Sequence, residues 1–499
     1  MRQLTSLDMQ FLALENGRQA GHVGALVMLD ASTAPSGQLR VRDLRRVIGE
    51  RIGDLPPLRW RLAEVPLGLD YPYWVDDGEF DLEYHVRELA LPAPGSDSQL
   101  AAQVARLHER PLDRSRPLWE FYVIEGHRSG QVAVMSKIHH ALIDGMSGAE
   151  ILGLLLDLGP EGRAPSPPAD PAPAPGDREM LARGLIGAAR YPLRVARAVP
   201  TAVTHIEETP FGTLPGAGLL GRAARAGART VLRKPALPEP PEIEAPKTIF
   251  NGRLSAHRRF AFGRLPLEDV KAVKNAWGFT VNDVVVAIAA GAVREWLIAH
   301  DDLPDGPLIA QVPVSVRTED QQGTYGNRIL LMTVPFFVDE PDPLTRLERT
   351  HEACRDMKER HQALPAGLLA DANHFIPPAL FSRAAQLTFR LSTSRPGRPT
   401  WNLVVSNVPG PQFPLYLGGA KVEAHYPISV ITDGMGLNIT VMSYCGSLDF
   451  GLVADRDQIQ DLWTVMDGLR DSLAELKGLA DAVEDSLSAP PRAERETTT

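Results

Sequence analysis

The stretch "QVAVMSKIHHALIDGMSG" (Gln131–Gly148) decides how this chain folds and indicates what it does. An alternating, mostly apolar run ends in two adjacent histidines, His139 and His140. Because side chains alternate along a strand, we expect Ile138 and His140 on one apolar face and His139 on the opposite face. The pattern therefore predicts a strand that ends with His140 turned toward an interior or a cleft.

The residues after the histidine pair predict a turn and then a helix. Asp144 and Gly145 suit a tight turn that brings a carboxylate back toward the end of the strand. Ser147 and Glu150 have the spacing of a capping box, and an apolar run follows them. A strand, a turn and a capped helix in this order can hold an imidazole in a fixed position.

Three interpretations of His140 are open. A histidine on an apolar face is more often a core residue with satisfied hydrogen bonds. A metal site is disfavoured, because strand neighbours point to opposite sides and no HExxH motif is present. The third interpretation is a general base, since a neutral histidine with a pKa of about 6.5 can accept a proton from an alcohol that attacks a carbonyl. No G-x-S-x-G motif and no activated cysteine is evident, which favours direct attack by a substrate hydroxyl without an acyl-enzyme.

Size and composition narrow the class of protein. The 499 residues suggest two or three domains, and 44% hydrophobic with 23% charged residues is typical of globular proteins. A net charge of −10 argues against a nucleic-acid partner. The two cysteines, Cys354 and Cys445, exclude a disulfide framework and a cysteine-based zinc site, which favours the cytoplasm or another reducing compartment. Asp8 and Glu15 interrupt the apolar stretch that a signal peptide needs, and no run is long enough to span a membrane, so we expect only peripheral membrane contact.

Strand-like and helix-like stretches mix on both sides of a Pro/Ala-rich middle section, which predicts an α/β (α+β) protein of two lobes. The expected strands are His22–Asp30, Leu118–Gly126 and Trp401–Pro411, with a hairpin over Gly436–Asp455 that turns at Cys445-Gly446-Ser447. The expected helices are Gln99–Glu109, Val281–His300 and, with less definite ends, Asp457–Leu476. The boundaries that follow are 1–158 for the first lobe, 159–247 for a linker with basic helices, 248–480 for the second lobe and 481–499 for a disordered tail.

The middle section allows two interpretations. Its first part, Pro160–Asp177, is expected to be an extended, mobile linker. Between residues 178 and 234, arginines recur at helical spacing in two sets, which are Arg183, Arg190, Arg194 and Arg197, and Arg222, Arg225, Arg229 and Arg233. These faces are either solvated surfaces of helices that pack on the body or basic amphipathic surfaces that contact anionic lipid.

Several motifs together resemble one known family. "HHALIDG" (His139–Gly145) is similar to the HHxxxDG motif of the CoA-dependent acyltransferase superfamily. The remaining matches are "LTSLDMQFLALE" near the start, "PLDRSRPLWEFYVIEG" (Pro111–Gly126), "VNDVVVA" (Val281–Ala287), "PVSVR" (Pro313–Arg317), "YGNRI" (Tyr325–Ile329), "SNVPGP" (Ser406–Pro411) and "GLNITVMSYCGSLDFGLVADRD" (Gly436–Asp457). By these residues the chain resembles the bacterial wax ester synthase/diacylglycerol acyltransferase family from its start to about residue 480.

The resemblance implies a fold and an activity. The fold would be two lobes of the chloramphenicol-acetyltransferase type, each a mixed sheet flanked by helices, with a tunnel between them. The activity would be transfer of a long-chain acyl group from acyl-CoA, a co-substrate, to diacylglycerol, with fatty alcohol as a second acceptor. No cofactor and no metal is expected. The implied location is cytoplasmic, with peripheral attachment to a membrane or to a lipid droplet.

The resemblance also implies roles for the motif residues. His140 would be the general base, His139 would support it, and Asp144 with Gly145 would orient the motif structurally. In the superfamily this aspartate commonly pairs with an arginine from elsewhere in the chain. The candidates for that arginine are Arg59 and Arg61.

Residues further along the chain would support the reaction centre. Asn282 and Asp283 would serve as oxyanion donor or as support behind the site, although Asn282 is equally suited to cap a helix. The residues implied to line the substrate tunnel are Pro117, Leu118, Trp119, Ser406 and Asn407. Leu118 and Trp119 are equally compatible with the core, and Ser406 and Asn407 with a turn.

Two further functions remain as alternatives. The first is a related ester-forming transferase whose donor is bound to a carrier protein. The second is a lipid-binding paralogue without catalytic activity, which the intact set of motifs disfavours.

Overall fold

The computed structural model describes residues 1–143, 153, 155–167, 173–204, 245–315, 329–362 and 399–488. Its strands are β1 (Arg2–Gln3), β2 (His22–Asp30), β3 (Trp60–Ala63), β4 (Tyr73–Asp76), β5 (Val86–Ala90), β6 (Trp119–Glu125), β7 (Val132–His139), β8 (Arg258–Pro266), β9 (Leu308–Ser315), β10 (Ile329–Phe336), β11 (Leu403–Val408), β12 (Tyr416–Leu417), β13 (Ala420–Ile428), β14 (Leu437–Tyr444) and β15 (Ser447–Asp455). Its helices are α1 (Ser6–Leu14), α2 (Val41–Arg51), α3 (Leu82–His85), α4 (Asp97–His108), α5 (His140–Ile143), α6 (Asp177–Thr204), α7 (Leu267–Trp277), α8 (Val281–Ala299), α9 (Pro343–Gln362) and α10 (Leu462–Ser488). This mixture confirms the expected α/β class.

The first lobe is built on a mixed six-stranded sheet with the order β12-β13-β2-β7-β6-β5. Strands β5 and β6 are parallel, and the other described pairs are antiparallel. Helix α2 packs on one face through Leu44, Val47 and Ile48, while α4 packs on the other through Leu100 and Val104. Strand β7 therefore lies in the middle of a sheet that is covered on both faces.

Strands β12 and β13 reach this sheet from the second half of the chain. Strand β13 pairs antiparallel with β2 from Lys421 opposite Asp30 to Ile428 opposite Gly24, with a bulge between Val422 and Ala424. A sequence-based boundary at residue 248 does not anticipate this crossing, because the partner strands lie almost 400 residues apart. The two lobes consequently share a sheet.

The second lobe contains a mixed six-stranded sheet with the order β10-β9-β11-β14-β15-β8. The expected hairpin is confirmed: β14 and β15 turn at Cys445-Gly446, and both turn residues have positive φ, 43° and 80°. A two-residue turn with positive φ at both positions matches the twist of the flanking strands. Helices α8 and α10 pack on this sheet, and the apolar face of α8 forms much of the core.

The expectation of a disordered tail from residue 481 needs correction, and the expected linker is held at one point. Residues 481–488 continue helix α10, because its amphipathic pattern extends past the expected end, so this part of the tail is helical. In the Pro/Ala-rich stretch, the Ser166 N–H donates to the Glu50 carbonyl at 2.7 Å, so this part of the linker is anchored on α2. The first set of arginines begins on helix α6 as expected, whereas the second set lies outside the described residues.

No single helix within the described residues is long and apolar enough to cross a membrane. Helices α7 and α8 meet that criterion only as a pair, and they are bent by 106° relative to each other.

Candidate active site

The histidine pair stands where strand β7 changes into helix α5. His139 is the last residue of the strand, and His140 is the first residue of the helix. Strand β7 therefore ends one residue before the predicted end, so alternation along the strand does not extend to His140, and its expected position on the apolar face stays a prediction. The opposite face of β7 is also buried, and His139 is only 1% exposed. His140 is half-buried.

His139 is held by contacts on both ring nitrogens. Its Nδ1 accepts a hydrogen bond from the Ala141 N–H at 3.1 Å, so Nε2 carries the proton in the neutral ring. That Nε2 lies 3.1 Å from Oε1 of Glu15. The carboxylate also accepts from the Gly21 N–H at 2.8 Å and pairs with Arg114 at 2.7 Å. His139 is therefore a buried anchor between the start of α5 and the end of α1.

The pKa of Glu15 reflects this arrangement. Burial by itself would raise the pKa, but the hydrogen bond and charge of His139, the Gly21 N–H and Arg114 outweigh it and lower the pKa from 4.5 to about 2. Glu15 is thus ionised throughout the physiological range of pH.

His140 is held by its backbone and by one face of its ring. Its N–H donates to the Gly21 carbonyl at 2.8 Å. Its ring stacks on Phe11 of α1, with the ring centroids 3.9 Å apart and the planes at 14°. A Cβ atom on Gly21 would lie 2.9 Å from Nε2 of His139, which leaves no room for a side chain at that position. Phe11, Glu15 and Gly21 therefore fix both histidines, and sequence reasoning missed all three roles.

A buried polar network supports β7 behind the histidines. The Lys137 ammonium is 0% exposed, donates to the carbonyls of Leu107 and Arg110, and lies 3.5 Å from Oε2 of Glu120. Burial lowers the pKa of Lys137 to about 8, although the Glu120 carboxylate opposes the shift. Glu120 also accepts a hydrogen bond from the Tyr122 hydroxyl at 2.7 Å. The glutamate of the "PLWE" motif thus holds the strand that carries the histidine pair.

The other residues of "PLWE" lie in the core or against β7. Leu118 and Trp119 are 0% exposed. The Leu118 carbonyl accepts from the His139 N–H at 2.9 Å, and the Trp119 Nε1–H donates to the Leu58 carbonyl at 2.6 Å. Pro117 precedes them at the start of β6. These contacts give Leu118 and Trp119 a packing role, and their place along a substrate tunnel stays a prediction.

Asp144 and Gly145 lie outside the described residues, so their turn and the expected arginine partner stay predictions. The two candidate arginines have other neighbours. Arg59 lies 3.7 Å from Oδ1 of Asp76, and Arg61 lies 3.6 Å from Oδ1 of Asp77.

The second-lobe candidates occupy two separate places. Thr280 caps helix α8 and forms a capping box with Asp283, so the interpretation of Asn282 as the N-cap is wrong. Asp283 is 2% exposed and lies 2.8 Å from Nδ1 of His351, while the Asn282 amide lies 4.0 Å from Sγ of Cys354. These contacts stay within the second lobe, and a role at the oxyanion stays a prediction. Ser406 and Asn407 lie on β11, beside β14, and are half-buried.

Comparisons with known proteins agree along the whole chain. The family profile of the wax ester synthase/diacylglycerol acyltransferase catalytic domain matches residues 4–285, and that of the C-terminal domain of the same family matches residues 325–477. A Mycobacterium tuberculosis protein described as a candidate diacylglycerol O-acyltransferase is 38% identical over 486 residues, which cover 96% of this chain and 91% of that protein. Another from the same organism with the same description is 36% identical over 480 residues, covering 95% and 99%.

Solved structures show the same fold. The wax ester synthase/diacylglycerol acyltransferase from Marinobacter aquaeolei VT8 is similar with a TM-score of 0.67 and 29% identity, covering 96% of this chain and 100% of that one. The first condensation domain of the CDA synthetase has a TM-score of 0.52 at 17% identity, covering 97% and 98%, and this likeness concerns the fold alone. The expected two-lobed architecture is confirmed by these matches.

Proposed function

Because the chain belongs to the wax ester synthase/diacylglycerol acyltransferase family of acyltransferases, we propose that it transfers a long-chain acyl group from acyl-CoA to the hydroxyl of diacylglycerol, with His140 as the general base. The observation that carries the assignment of the base is the different exposure of the two histidines. His139 is 1% exposed and bound to Glu15, whereas His140 is half-buried and keeps accessible surface. Of the pair, His140 can meet a substrate.

The proposed reaction needs one proton acceptor and no covalent enzyme intermediate. The acceptor hydroxyl loses its proton to His140 while its oxygen attacks the thioester carbonyl. The tetrahedral intermediate then collapses, the carbon–sulfur bond breaks, and the proton passes from the imidazolium to the departing thiolate. The products are an ester and a free thiol, and His140 is again neutral.

The geometry around His140 suits this role. Stacking on Phe11 and the backbone hydrogen bond to Gly21 restrict how the ring can rotate and shift. A base that is already oriented does not lose conformational freedom when the substrate arrives, and such positioning is a large part of catalytic power. The contact of His139 with the Ala141 N–H adds a second restraint on the first turn of α5.

The choice of substrates rests on the relatives. Their descriptions name diacylglycerol O-acyltransferases and, for the Marinobacter protein, a wax ester synthase as well. We therefore propose diacylglycerol as the main acceptor and a fatty alcohol as a second one. No cofactor or metal takes part in this scheme, because the base, the nucleophile and the leaving group suffice.

A direct assay tests the proposal. The purified protein is supplied with radiolabelled palmitoyl-CoA and either dioleoylglycerol or hexadecanol, and neutral lipids are separated and counted. We expect labelled triacylglycerol, with less wax ester, from the wild type and a loss of about 10²–10⁴-fold in kcat for His140→Ala. Full activity of His140→Ala would refute the assignment of the base. Absence of any labelled ester from the wild type would refute the proposed substrates.

We also propose that helix α6 brings the protein to a lipid surface. Leu181, Leu185 and Ile186 on this helix are exposed by 38%, 57% and 52%. Leu67, which is 84% exposed, lies on the short 3-10 turn against which α6 packs. Arginines flank these side chains on α6. An exposed apolar stripe with basic residues beside it is the pattern of a helix that lies in a membrane interface.

A further inference from the structure

A cavity lies between the two lobes. Its volume is about 520 Å³, within the range of roughly 300–1,000 Å³ that is usual for small-molecule sites. The walls come from the chain after the histidine motif, from the loop that follows β11, from β13 and from the end of β14. Most of the lining is apolar, as represented by Leu156, Phe413, Val422, Met442 and Tyr444.

One buried imidazole interrupts the apolar wall. His425 lies on β13 and is 5% exposed. Its backbone N–H donates to Oδ2 of Asp449 at 2.7 Å, but neither ring nitrogen makes a hydrogen bond to another residue in the described parts of the chain. A buried polar group without a partner costs about 1–3 kcal/mol, so such a group in a native protein needs an explanation.

The charge state of His425 narrows that explanation. Burial lowers the pKa of the ring to about 4, against a smaller opposing effect of its own carbonyl group. The ring is therefore neutral at pH 7 and offers one N–H donor and one nitrogen acceptor. Amide and hydroxyl groups can pair with either ring nitrogen, because such groups both donate and accept hydrogen bonds.

The rim of the cavity carries a positive charge. Arg163 lines the cavity, and its side chain is 38% exposed. Its Nε lies 3.2 Å from Oδ1 of Asp157, and the other oxygen of that carboxylate is 2.6 Å from Nη2 of Arg51. Two guanidinium groups share this carboxylate, Arg163 also donates to the carbonyls of Gly153 and Leu156, and the Glu161 carboxylate lies beside Gly159 of the lining, so the positive charge at the rim is that of the Arg163 guanidinium itself. An anionic group of a ligand would be stabilised there.

Strand register relates the cavity to the histidine pair. His425 lies opposite Val27 of β2, which lies opposite Val134 of β7. With a rise of about 3.3 Å per residue and a strand spacing of about 4.8 Å, this register places the Cα atoms of His425 and His139 roughly 20 Å apart. Directly opposite residues share a sheet face, so His425 is on the same face as Val134 and Ile138.

We propose that this cavity binds the phosphopantetheine arm of the acyl donor, with His425 hydrogen-bonded to its distal amide or hydroxyl and Arg163 facing its phosphate. The inference rests on the proposed function, which places the thioester at His140. A phosphopantetheine arm carries two amides and a hydroxyl between the thioester and the phosphate, so one extended ligand offers neutral partners for His425 and an anionic partner for Arg163. An acyl chain has no group for His425, and the ester oxygens of diacylglycerol lie too close to its reacting hydroxyl to reach it.

A series of truncated donors tests the proposal. Palmitoyl-CoA carries the whole arm, palmitoyl-pantetheine lacks the phosphate, and palmitoyl-N-acetylcysteamine keeps little beyond the thioester. For His425→Leu we expect kcat/KM to fall about tenfold with the first two donors and to stay unchanged with the third, because only the first two reach the imidazole. For Arg163→Ala we expect a loss of up to about fivefold with palmitoyl-CoA alone.

Matched variants separate binding from folding. His425→Asn keeps a donor and an acceptor and should recover part of the lost kcat/KM. Arg456→Ala removes an arginine of similar exposure, 42%, next to the end of β15 and away from the cavity, and should leave all three donors unaffected. Equal losses of His425→Leu with all three donors would indicate a structural effect and overturn the proposal, as would no loss with any.

A binding measurement tests this cavity independently of whether the protein makes triacylglycerol. Calorimetric titration with free coenzyme A needs no turnover, and we expect wild-type binding that weakens about tenfold in His425→Leu. Equal binding by both proteins, or none by the wild type, would overturn the inference even if the wild type makes triacylglycerol. Comparison of palmitoyl-CoA with palmitoyl-acyl carrier protein then identifies the source of the arm, since either donor brings the same phosphopantetheine group.

Discussion

His139 and His140 are adjacent in sequence but have different physical environments. His139 is buried and contacts both Glu15 and the Ala141 N–H. The His140 ring stacks on Phe11 and keeps accessible surface. Because both ring nitrogens of His139 have contacts, this residue helps to hold its neighbours in position. A residue that keeps accessible surface can meet a substrate.

The two alanine variants should therefore fail in different ways. We expect His139→Ala to lower the free energy of unfolding by about 3 kcal/mol, because it removes one partner of a buried pair and leaves Glu15 less well compensated. We expect His140→Ala to unfold almost like the wild type and to lose much more of kcat. Urea unfolding and initial rates with palmitoyl-CoA measure both quantities. If the two variants lost kcat equally while both remained folded, the division of roles would be wrong.

Glu15 gives the protein a dependence of stability on acid. Its folded pKa is about 2, below the ordinary 4.5, so its contribution to stability is complete above pH 4.5 and disappears as the pH falls toward 2. A shift of this size corresponds to about 3 kcal/mol. We expect Glu15→Gln to be less stable than the wild type at pH 7 by about 2 kcal/mol and the difference to narrow steadily below pH 4.5.

Urea unfolding at pH 7, 5 and 3 measures the effect. Glu268→Gln is the matched control, because that carboxylate is 77% exposed in its pair with Lys271 and should change stability little at any of these pH values. A difference between Glu15→Gln and the wild type that stays constant down to pH 3 would contradict the account.

Helix α6 presents one face to the body of the protein and another to solvent. A Cβ atom on Gly184 would lie 2.6 Å from Val65, so glycine allows the helix to approach the body closely at this point. Leu185 and Ile186 remain outside. Exposed leucine and isoleucine beside arginine gain free energy by entering an anionic lipid interface.

We expect Leu185→Asp combined with Ile186→Asp to reduce binding to phosphatidylglycerol vesicles at least about tenfold, measured by co-sedimentation. Binding of the wild type should also weaken as salt increases, because the arginines act through screened charge. Leu479→Asp changes a leucine of 38% exposure on α10 and should bind vesicles like the wild type. Unaltered binding of the double variant would exclude α6 as the lipid contact.

For the whole molecule, local patterns could be predicted from the sequence and long-range partners could not. Strand β2 matches the prediction at both ends, and α8 matches to within one residue, because alternation and helical periodicity are properties of neighbouring residues. The contact of Glu15 with His139 joins residues more than 100 positions apart, and the pairing of β13 with β2 joins still more distant ones. No local pattern encodes either. Strand β7 ends one residue before the predicted end, so alternation along the strand cannot fix the direction of the His140 side chain.

The shared sheet makes a prediction about how the lobes unfold. Without β13, strand β2 would be an edge strand with unpaired backbone groups and exposed apolar side chains, which promotes aggregation. The lobes also share a core in which Leu26 and Val104 lie in the same cluster as Phe262 and Val453.

We therefore expect the full chain to unfold in a single calorimetric transition and a fragment of residues 1–247 to be insoluble or aggregated when expressed alone. Co-expression with residues 245–499 should recover soluble material, because it restores β12 and β13. Two separate transitions of the full chain, or a soluble monomeric fragment 1–247 with a native circular dichroism spectrum, would show that the first lobe folds without the strands of the second.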